Sequence, residues 1–582
     1  MSLFSKSHYY FKTRIALHWV SVIIFCGVCS SAAKAIEEGN VLVPEVSVAS
    51  EINALLAIKQ HPQLRWADFS NRAENLQHFY ELGGFQLVWF GSERALQNSQ
   101  VALSVLQQAS AQGLNPEHYE IAELQRWVDT AKNNAALDLK QVVAYDTAMS
   151  IVMLRYMYDL HFGQVDPHTI DFKFALRPKN QDLAELLFQA IQAGKLVELN
   201  TALEPQLKQY KLLKQALTDY RDLAKDLGAT QFSAPLKGKQ IAQLHRYLQG
   251  VGDIPKHSEA KENHLLEADI SGLKKFQHRH GLAETGYTDK ATLAALNTPL
   301  SQRISQLELA MERLRWLPEI NAEPGILVNI PAFKLWAYNS LDTMDEVAMH
   351  MRVVVGEAMK NPTPVLISQV HYLEFMPHWN VPYSIVKNEI IAKLLRNSNY
   401  LRDQNMEVVA TTDKSQAEPG YQASLIDELK HGNVRIRQRP GKHNALGRVK
   451  FIFPNEYSVY LHDTQANALF KKPRRDFSHG CVRVEHPEAL AEYMLRDSEK
   501  WDPSAIKHAM QQENQQRVSL KKPLPVLIFY TTAFFETPEQ LRFYPDVYAY
   551  DSVLREALAK PVEVADSALF AQDPEVRMTG LE

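Results

Sequence analysis

The chain has 582 residues, 46% of them hydrophobic and 22% charged, and its formal net charge is −4. Because one hydrophobic core rarely serves so long a chain, the sequence predicts about two to four domains of ordinary globular composition. The near-neutral charge gives no reason to expect nucleic acid as a partner. No apolar stretch in the body of the chain is long enough to span a membrane.

The amino terminus has the pattern of an export signal. Three cations precede an apolar run, and small residues in an A-x-A arrangement follow it: Lys6, Lys12 and Arg14, then 15–28, then Ala33 and Ala35. Such a sequence is typical of a secretory signal peptide, although the run also fits an uncleaved membrane anchor. Either way, we expect the bulk of the chain to lie outside the cytoplasm.

The first large region is predicted to be helical. Residues 36–50 show no strong periodicity and are predicted to be a linker, whereas apolar residues recur at helical spacing from 51 to 260, most clearly in 145–160. Gly- and Pro-containing loops at 113–116 and 163–167 are typical helix ends. No catalytic combination of residues stands out here, so we interpret 51–260 as a scaffold.

A compact unit follows at 261–300. An amphipathic helix ends at Gly281, a Thr-Gly-Tyr turn follows at 285–287, and Asp289 is placed to cap a second helix at 290–296. This pattern resembles the small peptidoglycan-binding domain found beside many cell-wall enzymes. A plain helical hairpin between domains is the alternative.

After a connecting helix at 301–324, the pattern changes to short β-rich segments bounded by turns. The predicted strands are 325–330, 333–338, 351–356, 370–375, 449–453, 458–462 and 525–532. They indicate a mainly β domain over 325–555. A more helical and polar insertion at 385–433 interrupts it and is a candidate lid.

Cysteine is scarce in this chain. Cys26 and Cys29 lie in the predicted signal, which leaves Cys481 as the only cysteine of the mature protein. It cannot form an intramolecular disulfide, and a lone thiol in an exported protein is a liability unless it has a function. On composition alone, a buried inert cysteine is the better interpretation. The residues around Cys481 change that interpretation.

Those residues are the groups that a thiol nucleophile needs. A thiol is mostly protonated at neutral pH and requires a neighbouring base, and two histidines precede Cys481, at 462 and 479. Gly480 permits a close backbone approach, so the amides of Gly480 and Cys481 are candidates for oxyanion donors. Arg483 suits a substrate carboxylate in bidentate fashion.

The segment S-H-G-C-V-R, with a second histidine 19 residues before the cysteine, resembles the L,D-transpeptidase family with its YkuD-type catalytic domain. Further blocks resemble that family's core: 352–356, 361–364, 377–382 and 447–451. With the scaffold, the small unit and the insertion, the chain resembles the large, YcbB-type periplasmic branch over most of 60–555. The expected fold is multidomain α+β, with a mainly β catalytic domain, a helical amino-terminal scaffold and a small three-helix peptidoglycan-binding-like domain.

The predicted parts follow one another along the chain. They are a signal peptide at 1–35, a linker at 36–50, the helical scaffold at 51–260, the peptidoglycan-binding-like domain at 261–300, a connecting helix at 301–324, the catalytic domain at 325–555 with its insertion at 385–433, and a tail at 556–582.

The resemblance implies roles for residues of the motif. Cys481 is the nucleophile, and His462 is the general base, oriented through a backbone carbonyl, here that of Asp463. His479 is a further expected catalytic residue, which lines the site beside the oxyanion donors and polarises or steadies the thiolate. The residues alone leave open which histidine takes the proton, and the family assignment favours His462. We expect no catalytic role for the Asp463 side chain.

Four further residues are candidate substrate contacts, each with a structural alternative. Tyr460 shares a face with His462 but is equally well explained as a core aromatic. Trp379 lies in a Pro-rich turn and either walls the pocket or packs in the core. Arg483 is the expected carboxylate ligand, with a structural ion pair as the alternative. Ser478 is expected to hold the loop by hydrogen bonds.

The implied reaction is a two-step acyl transfer. Cys481 attacks the third residue of a donor tetrapeptide stem, D-alanine leaves, and the side-chain amine of a second stem resolves the thioester into a 3→3 cross-link. No cofactor or metal is expected, since there is one thiol and no H-E-x-x-H segment. Hydrolysis of the same thioester, attachment of a protein to the wall, and a non-catalytic wall-binding protein remain the alternatives. Glycosyltransferase or carboxypeptidase partners are compatible with this role, and the sequence does not indicate an oligomeric state.

Overall fold

A computed structural model describes residues 47–133, 137–170, 172, 181–228, 230–261, 264–320, 322–344, 346–411 and 422–559. The predicted signal peptide, with Cys26 and Cys29, lies outside these residues, and so does most of the predicted tail. In the described part of the chain, none of the helices combines the length and the apolar character that crossing a bilayer requires.

Helices build the amino-terminal half, as the apolar spacing predicts. Those described are α1 Val48–Ile58, α2 Ala73–Leu82, α3 Glu93–Leu106, α4 Ile121–Lys132, α5 Leu139–Phe162, α6 Leu183–Ala193, α7 Leu196–Leu203 and α8 Lys208–Leu227. Helix α5 begins with a capping box formed by Asp138 and Gln141 and is buried along most of its length. It is therefore the central helix around which the others pack.

A small three-helix unit follows, with α9 Lys239–Gly250, α10 Glu267–Arg279 and α11 Lys290–Leu296. Leu248 of α9, Phe276 of α10 and Leu296 of α11 share one hydrophobic cluster. The predicted cap is present, since Asp289 accepts from the Thr292 amide at 2.8 Å. Helix α9 precedes the predicted boundary at 261, so the cluster draws on residues from both sides of it.

Helix α12, Leu300–Arg315, connects the two halves of the molecule. Its Glu312 carboxylate accepts from the amide of Val165 at 3.0 Å in the loop after α5. Arg313, on the same helix, forms an ion pair at 2.6 Å with Asp551 in the carboxy-terminal region. Helical and β regions are thus joined through buried charges, which are costly to bury unless they are paired.

The carboxy-terminal half is a closed β-sheet. Its strands are β1 Gly325–Asn329, β2 Lys334–Tyr338, β3 Val347–Gly356, β4 Leu366–Phe375, β8 Val449–Ile452, β9 Leu461–His462, β10 Asp476–Ser478, β11 Val482–Val484 and β12 Gln516–Phe529. The order is β10-β3-β11-β9-β8-β4-β12-β1-β2, and β2 also pairs with β3. That last pairing closes the sheet on itself, which removes most of its exposed edges.

Further elements surround this sheet. They are the hairpin β13 Ala533–Thr537 and β14 Gln540–Phe543, and the helices α17 Pro487–Leu495, α18 Pro503–Ala509 and α19 Tyr550–Ala559. The multidomain α+β fold with a helical amino-terminal scaffold is confirmed. One strand is shorter than predicted, because Asn455 accepts from the amides of Tyr457 and Val459 and forms a turn where 458–460 was expected to be extended.

The insertion is a packed unit with its own small sheet. It contains α13 Tyr383–Ile385, a π-helical turn at Val386–Ile390, α14 Ile391–Arg396, α15 Tyr400–Asp403 and α16 Gln422–His431, with strands β5 Trp379–Asn380, β6 Met406–Ala410 and β7 Val434–Gln438 in the order β5-β7-β6. A hydrophobic cluster from Val381 to Ile436 fills it. The described unit therefore extends a few residues beyond the predicted 385–433 at each end.

Candidate active site

Two short parallel strands bring the predicted nucleophile and base together. Leu461 of β9 pairs with Val482 of β11, and His462 pairs with Arg483. The Val482 amide donates to the Tyr460 carbonyl at 3.1 Å, so Cys481 lies beside Tyr460. Since alternate residues of a strand share a face, the side chains at 481 and 483 lie on the same face as those at 460 and 462.

His462 is fixed in one tautomer. Its Nδ1 lies 2.6 Å from the carbonyl oxygen of Asp463, the contact that the family resemblance implies. A carbonyl only accepts, so Nδ1 carries the proton and Nε2 keeps its lone pair. The residue is 4% exposed, and burial, followed by the charge of Arg483, lowers its pKa to about 3. His462 is therefore a neutral base throughout the physiological pH range.

The side chain of Asp463 has a structural task. Its carboxylate accepts from the Arg448 amide at 2.7 Å and from the Thr464 amide at 2.6 Å. Gly447, with φ +63°, leaves room for it, because a Cβ there would lie 2.3 Å from the Asp463 Cγ. The carboxylate thus holds the turn that follows His462 and does not point to the imidazole as a triad member would.

Cys481 is a free thiol at partial exposure. Burial raises its pKa, and hydrogen bonding from Tyr460 with the charges of Arg483 and Lys450 opposes that rise. Its Sγ lies 3.9 Å from the carbonyl oxygen of Ser458. The resting groups are consequently a neutral thiol and a neutral imidazole on one face of the paired strands, so proton transfer has to accompany attack on a substrate.

Tyr460 completes this face. Its ring centroid is 5.7 Å from that of His462, and the Nζ of Lys450 lies 5.7 Å from the Tyr460 centroid. Burial, and then the neighbouring Cys481, raise the pKa of the Tyr460 hydroxyl. The hydroxyl therefore stays protonated and is a hydrogen-bond donor next to the sulfur.

The loop before Cys481 is held by its own side chains. Ser478 Oγ donates to the Cys481 carbonyl at 2.6 Å and accepts from the Gly480 amide at 3.2 Å. Thr363 Oγ1 donates to the Gly480 carbonyl at 2.7 Å, and Gly480 has φ +110°. The sequence predicts the amides of Gly480 and Cys481 as a donor pair. In the described structure the first of them already has an acceptor, which leaves the Cys481 amide.

His479 points toward the insertion. Its Nε2 lies 2.6 Å from Oε1 of Glu389, which belongs to the π-helical turn. The two side chains are 46% and 38% exposed, in contrast to the buried His462. Burial alone would raise the pKa of Glu389, but the hydrogen bond and charge of His479, followed by Lys393, lower it. This pair connects the catalytic loop to the insertion.

The remaining predicted residues separate into two groups. Arg483 is partly buried beside the Cys–His pair, and its Nε is buried with no hydrogen-bond partner in the described structure. Trp379 instead pairs with Gln438 in the insertion sheet and packs against the insertion's hydrophobic cluster. The geometry thus groups Arg483, Tyr460 and Ser478 around Cys481, and it places Trp379 in the insertion.

A cavity of about 570 Å³ lies next to the turn after His462. Asp463 and Thr464 line one side, and Glu488 and Glu492 of α17 line another. Among the described residues, these two glutamates have neither an ion-pair nor a hydrogen-bond partner. The cavity is therefore electronegative and suits a cationic group.

Three residues of this region, Thr363, Glu389 and Lys450, have contacts at the site that the sequence does not predict. Thr363 lies in the segment 361–364, which resembles a core block of the family, but the sequence does not indicate its hydrogen bond to Gly480. Lys450 pairs in register with His462 across β8 and β9, which only the sheet reveals. Within the described ranges, no three His, Cys, Asp or Glu side chains are grouped as a metal site requires.

Comparison with known proteins follows the same division of the chain. Residues 323–545 match the model of the YkuD family, described as an L,D-transpeptidase catalytic domain, and residues 74–217 match the model of a scaffold domain. A protein of Haemophilus influenzae named "Putative L,D-transpeptidase" is 29% identical over 295 residues. That match covers 50% of this chain and 54% of the relative, so the chain spans about half the relative's length.

Proposed function

We propose, on the premise that residues 323–545 are a YkuD-type L,D-transpeptidase catalytic domain behind a scaffold domain, that this protein forms 3→3 cross-links between peptidoglycan stem peptides. The reaction passes through a thioester on Cys481. The relative's name supports a transpeptidase, and the site supports the cysteine chemistry.

The observation that carries the proposal is the pairing of β9 with β11. It sets Cys481 and His462 on one face, and the Asp463 carbonyl leaves Nε2 of His462 as an acceptor. As Sγ attacks the carbonyl carbon of the third stem residue, Nε2 takes the thiol proton. The imidazolium then protonates the amine of the departing D-alanine, the carbon–nitrogen bond breaks, and a thioester remains.

Negative charge on the attacked carbonyl oxygen needs donors near the sulfur. The Cys481 amide has no acceptor among the described residues, and the protonated Tyr460 hydroxyl stands beside Sγ. We assign these two groups to the oxyanion, in place of the pair of amides expected from the sequence. Losing one such donor typically costs about 3 kcal/mol in the transition state.

Arg483 is assigned to a substrate carboxylate. Its buried Nε has no hydrogen-bond partner in the described structure, although such donors usually have one. A planar guanidinium matches a carboxylate in bidentate geometry. Stem peptides carry carboxylates on either side of the bond that reacts, so Arg483 would orient the donor.

The acceptor in the second step is an amine. The cavity beside the turn after His462 presents Glu488 and Glu492, which would attract the protonated side-chain amine of a second stem. His462 removes one proton from the ammonium to free its lone pair, and the amine then attacks the thioester carbonyl. As the carbon–sulfur bond breaks, the amine's second proton passes to the Cys481 sulfur and restores the thiol, and His462 releases its proton to solvent. The lining of this cavity includes Asp463 but neither Cys481 nor His462, so it supports an amine acceptor only through the turn that follows the proposed base.

The insertion is proposed as a lid over this site. Its π-helical turn reaches the catalytic loop through Glu389 and His479, and π-helical turns frequently occur at functional sites. His479 would then position the insertion, and His462 would move the proton. The pair is exposed, so it can open without burying an unpaired charge.

Export to the periplasm remains a proposal carried by the amino-terminal pattern of 1–35. The 261–300 unit is proposed to hold the enzyme against the wall. Family members act on peptidoglycan, so we propose the stem peptides as substrates. Glycosyltransferase or carboxypeptidase partners remain predictions.

Mass spectrometry of muropeptides after incubation with purified protein tests the proposal. Disaccharide-tetrapeptides should give 3→3 dimers with release of D-alanine, and the Cys481→Ala protein should give neither. Tripeptide without dimer would show an L,D-carboxypeptidase, and unchanged substrate would favour a wall-binding protein. Glu488→Gln with Glu492→Gln should shift the products from dimer toward tripeptide if the cavity holds the acceptor.

A further inference from the structure

A second cavity, of about 370 Å³, lies within the helical scaffold. Residues of the loop 60–72 form one wall, His118 forms another, and Arg155 and Asp159 of α5 form the floor. This volume is within the usual range for small-molecule sites. None of the roles described above for the Cys481 site involves these residues.

The walls of this scaffold cavity are tied together before any ligand arrives. Arg155 is 6% exposed and donates to the carbonyl of His118 at 3.0 Å and to that of Trp66 at 2.7 Å. The Glu120 carboxylate accepts from the amides of Arg65 at 2.8 Å and Trp66 at 3.1 Å. Loop and helix are thus cross-linked by charged hydrogen bonds, so the cavity is preorganised.

Two donors on its wall have no acceptor among the described residues. They are Nε1 of Trp66 and Nε of Arg72, and both atoms are buried. The Arg72 guanidinium is nevertheless held, because its Nη2 lies 3.3 Å from Asp159 and its Cζ lies 4.6 Å from the centroid of the Tyr158 ring. A buried donor without an acceptor is costly and uncommon, which calls for an acceptor from outside the chain.

The charge of the scaffold cavity is positive in balance. Arg65, Arg72 and Arg155 line it, and the carboxylate oxygens of Asp159 are used by Arg72 and by the Tyr119 hydroxyl, the latter at 2.9 Å. Asp68 accepts from the Ser70 amide at 2.9 Å. Burial, and then the like charge of Arg72, lower the pKa of Arg155 to about 10. A ligand that brings negative charge would relieve this repulsion.

We propose that the scaffold cavity binds a small carboxylate ligand whose oxygens accept from Trp66 Nε1 and Arg72 Nε. The indole of Trp66 gives the ligand an apolar wall, and the volume suits a single sugar or a dipeptide. The carboxylate can belong to an acidic sugar or to the end of a peptide. The inference does not depend on the function proposed for Cys481.

Calorimetric titration of the full chain tests the inference with matched pairs of probes. N-acetylmuramic acid is compared with N-acetylglucosamine, which lacks the carboxylate, and N-acetyl-D-alanine with its amide. We expect saturable binding of at least one acid, at one ligand per chain, and none of the neutral partners. The acid that binds identifies the source of the carboxylate. The same result on the Arg483→Met protein, which lacks the guanidinium assigned to substrate carboxylates, places the binding away from the Cys481 site.

Two substitutions locate the site. Trp66→Phe keeps an aromatic ring, although a smaller one, and removes Nε1, whereas Arg72→Lys keeps the charge and removes Nε. Each should weaken binding roughly tenfold or more. Arg126→Lys, on the exposed surface of α4, is the control and should bind like the unchanged protein. Thermal melting verifies folding of each variant, and Trp66→Phe suffices if Arg72→Lys does not fold. Absence of saturable binding, equal binding of the neutral probes, or full binding by the folded variants overturns the proposal.

Discussion

The two histidines that precede Cys481 occupy contrasting regions. His462 ends β9 inside the sheet, is 4% exposed and is held by the Asp463 carbonyl. His479 lies in the loop between β10 and β11, has a 46% exposed side chain and pairs with Glu389 of the insertion. The sequence places His479 nearer to Cys481, yet the sheet gives the base geometry to the more distant residue.

Under the proposed function, this contrast would separate proton transfer by His462 from control of access by His479. Burial keeps His462 neutral, and the strand pairing fixes its position, so it can take a proton repeatedly without reorganisation. Exposure would let His479 exchange partners at little cost, as a contact with the proposed lid requires. Substitutions in the two regions should therefore differ in how strongly they affect activity and in which kinetic parameter they change.

The largest effect is expected for His462. His462→Gln removes the acceptor Nε2, and general-base catalysis is typically worth about 10²–10⁴-fold, so kcat/KM for dimer formation should fall by that factor. His479→Gln should lower it less than about tenfold, because only an exposed contact is lost. Steady-state kinetics on disaccharide-tetrapeptide measures both. Equal losses in the two variants would contradict the assignment of the base.

Arg483 should have the next largest effect, since it shares the buried face with His462. Arg483→Met removes a charged donor to substrate carboxylate and should raise KM roughly 10–100-fold, with a smaller change in kcat. Arg474→Met, at an exposed arginine whose partner is the buried Asp476 carboxylate, is the matched control and should change neither parameter in folded protein. An unchanged KM for Arg483→Met in folded protein would mean that Arg483 is structural.

The burial of His462 has a consequence for acid stability. Its pKa is about 3 in the folded protein and 6.5 for an unperturbed histidine, so between these values the unfolded chain binds a proton that the folded chain does not. Stability is therefore lost as pH falls through this window, by about 2 kcal/mol at pH 5 from this residue. Thermal melts at pH 7.5 and 5.0 should show a smaller loss for His462→Asn than for the unchanged protein. Burial also lowers the pKa of His61, to about 4, and this residue contributes the same loss of stability at pH 5 to the unchanged protein and to the His462→Asn protein.

The smallest effect is expected at the exposed pair. Glu389→Gln keeps the shape of the side chain but removes its charge, and exposed ion pairs are worth about 0.2–1 kcal/mol. Protease cleavage within the insertion should become modestly faster, and kcat should change less than about fivefold. Arg437→Gln, which removes the ion pair between Arg437 and Glu407 inside the insertion, is the control. A loss of activity as large as that of His462→Gln would give the exposed pair a chemical role.

The local pattern of residue types predicted the positions of the long strands, but it could not predict which strands pair or in which register. Strands such as β3 and β4 are rich in β-branched and aromatic residues, so their positions follow from the sequence. Strands β10 and β11 have three residues each, too few for a pattern. The parallel register of β9 with β11 joins residues about 20 apart, and it is fixed by the closure of the whole sheet.

For the site, as for the fold, the local motif could be predicted from the sequence and the contacts between distant segments could not. The motif names Cys481 and His462, and its resemblance to a family supplies the backbone carbonyl that orients the base. The hydrogen bond from the Gly480 amide to Ser478, and that from Thr363 to Gly480, depend on a tight loop against β3. The contact of His479 with Glu389 joins residues 90 apart. These contacts are tertiary, so no local pattern contains them.

The proposed nucleophile can be tested by intact-protein mass spectrometry after exposure to a carbapenem. The resemblance to L,D-transpeptidases implies that a carbapenem acylates such a thiol more readily than a penicillin does. We predict that the unchanged protein gains the mass of one drug molecule, that His462→Gln gains it more slowly, and that folded Cys481→Ala gains nothing. An adduct on Cys481→Ala, or a folded unchanged protein that stays unmodified, would contradict the assignment of Cys481 as the nucleophile.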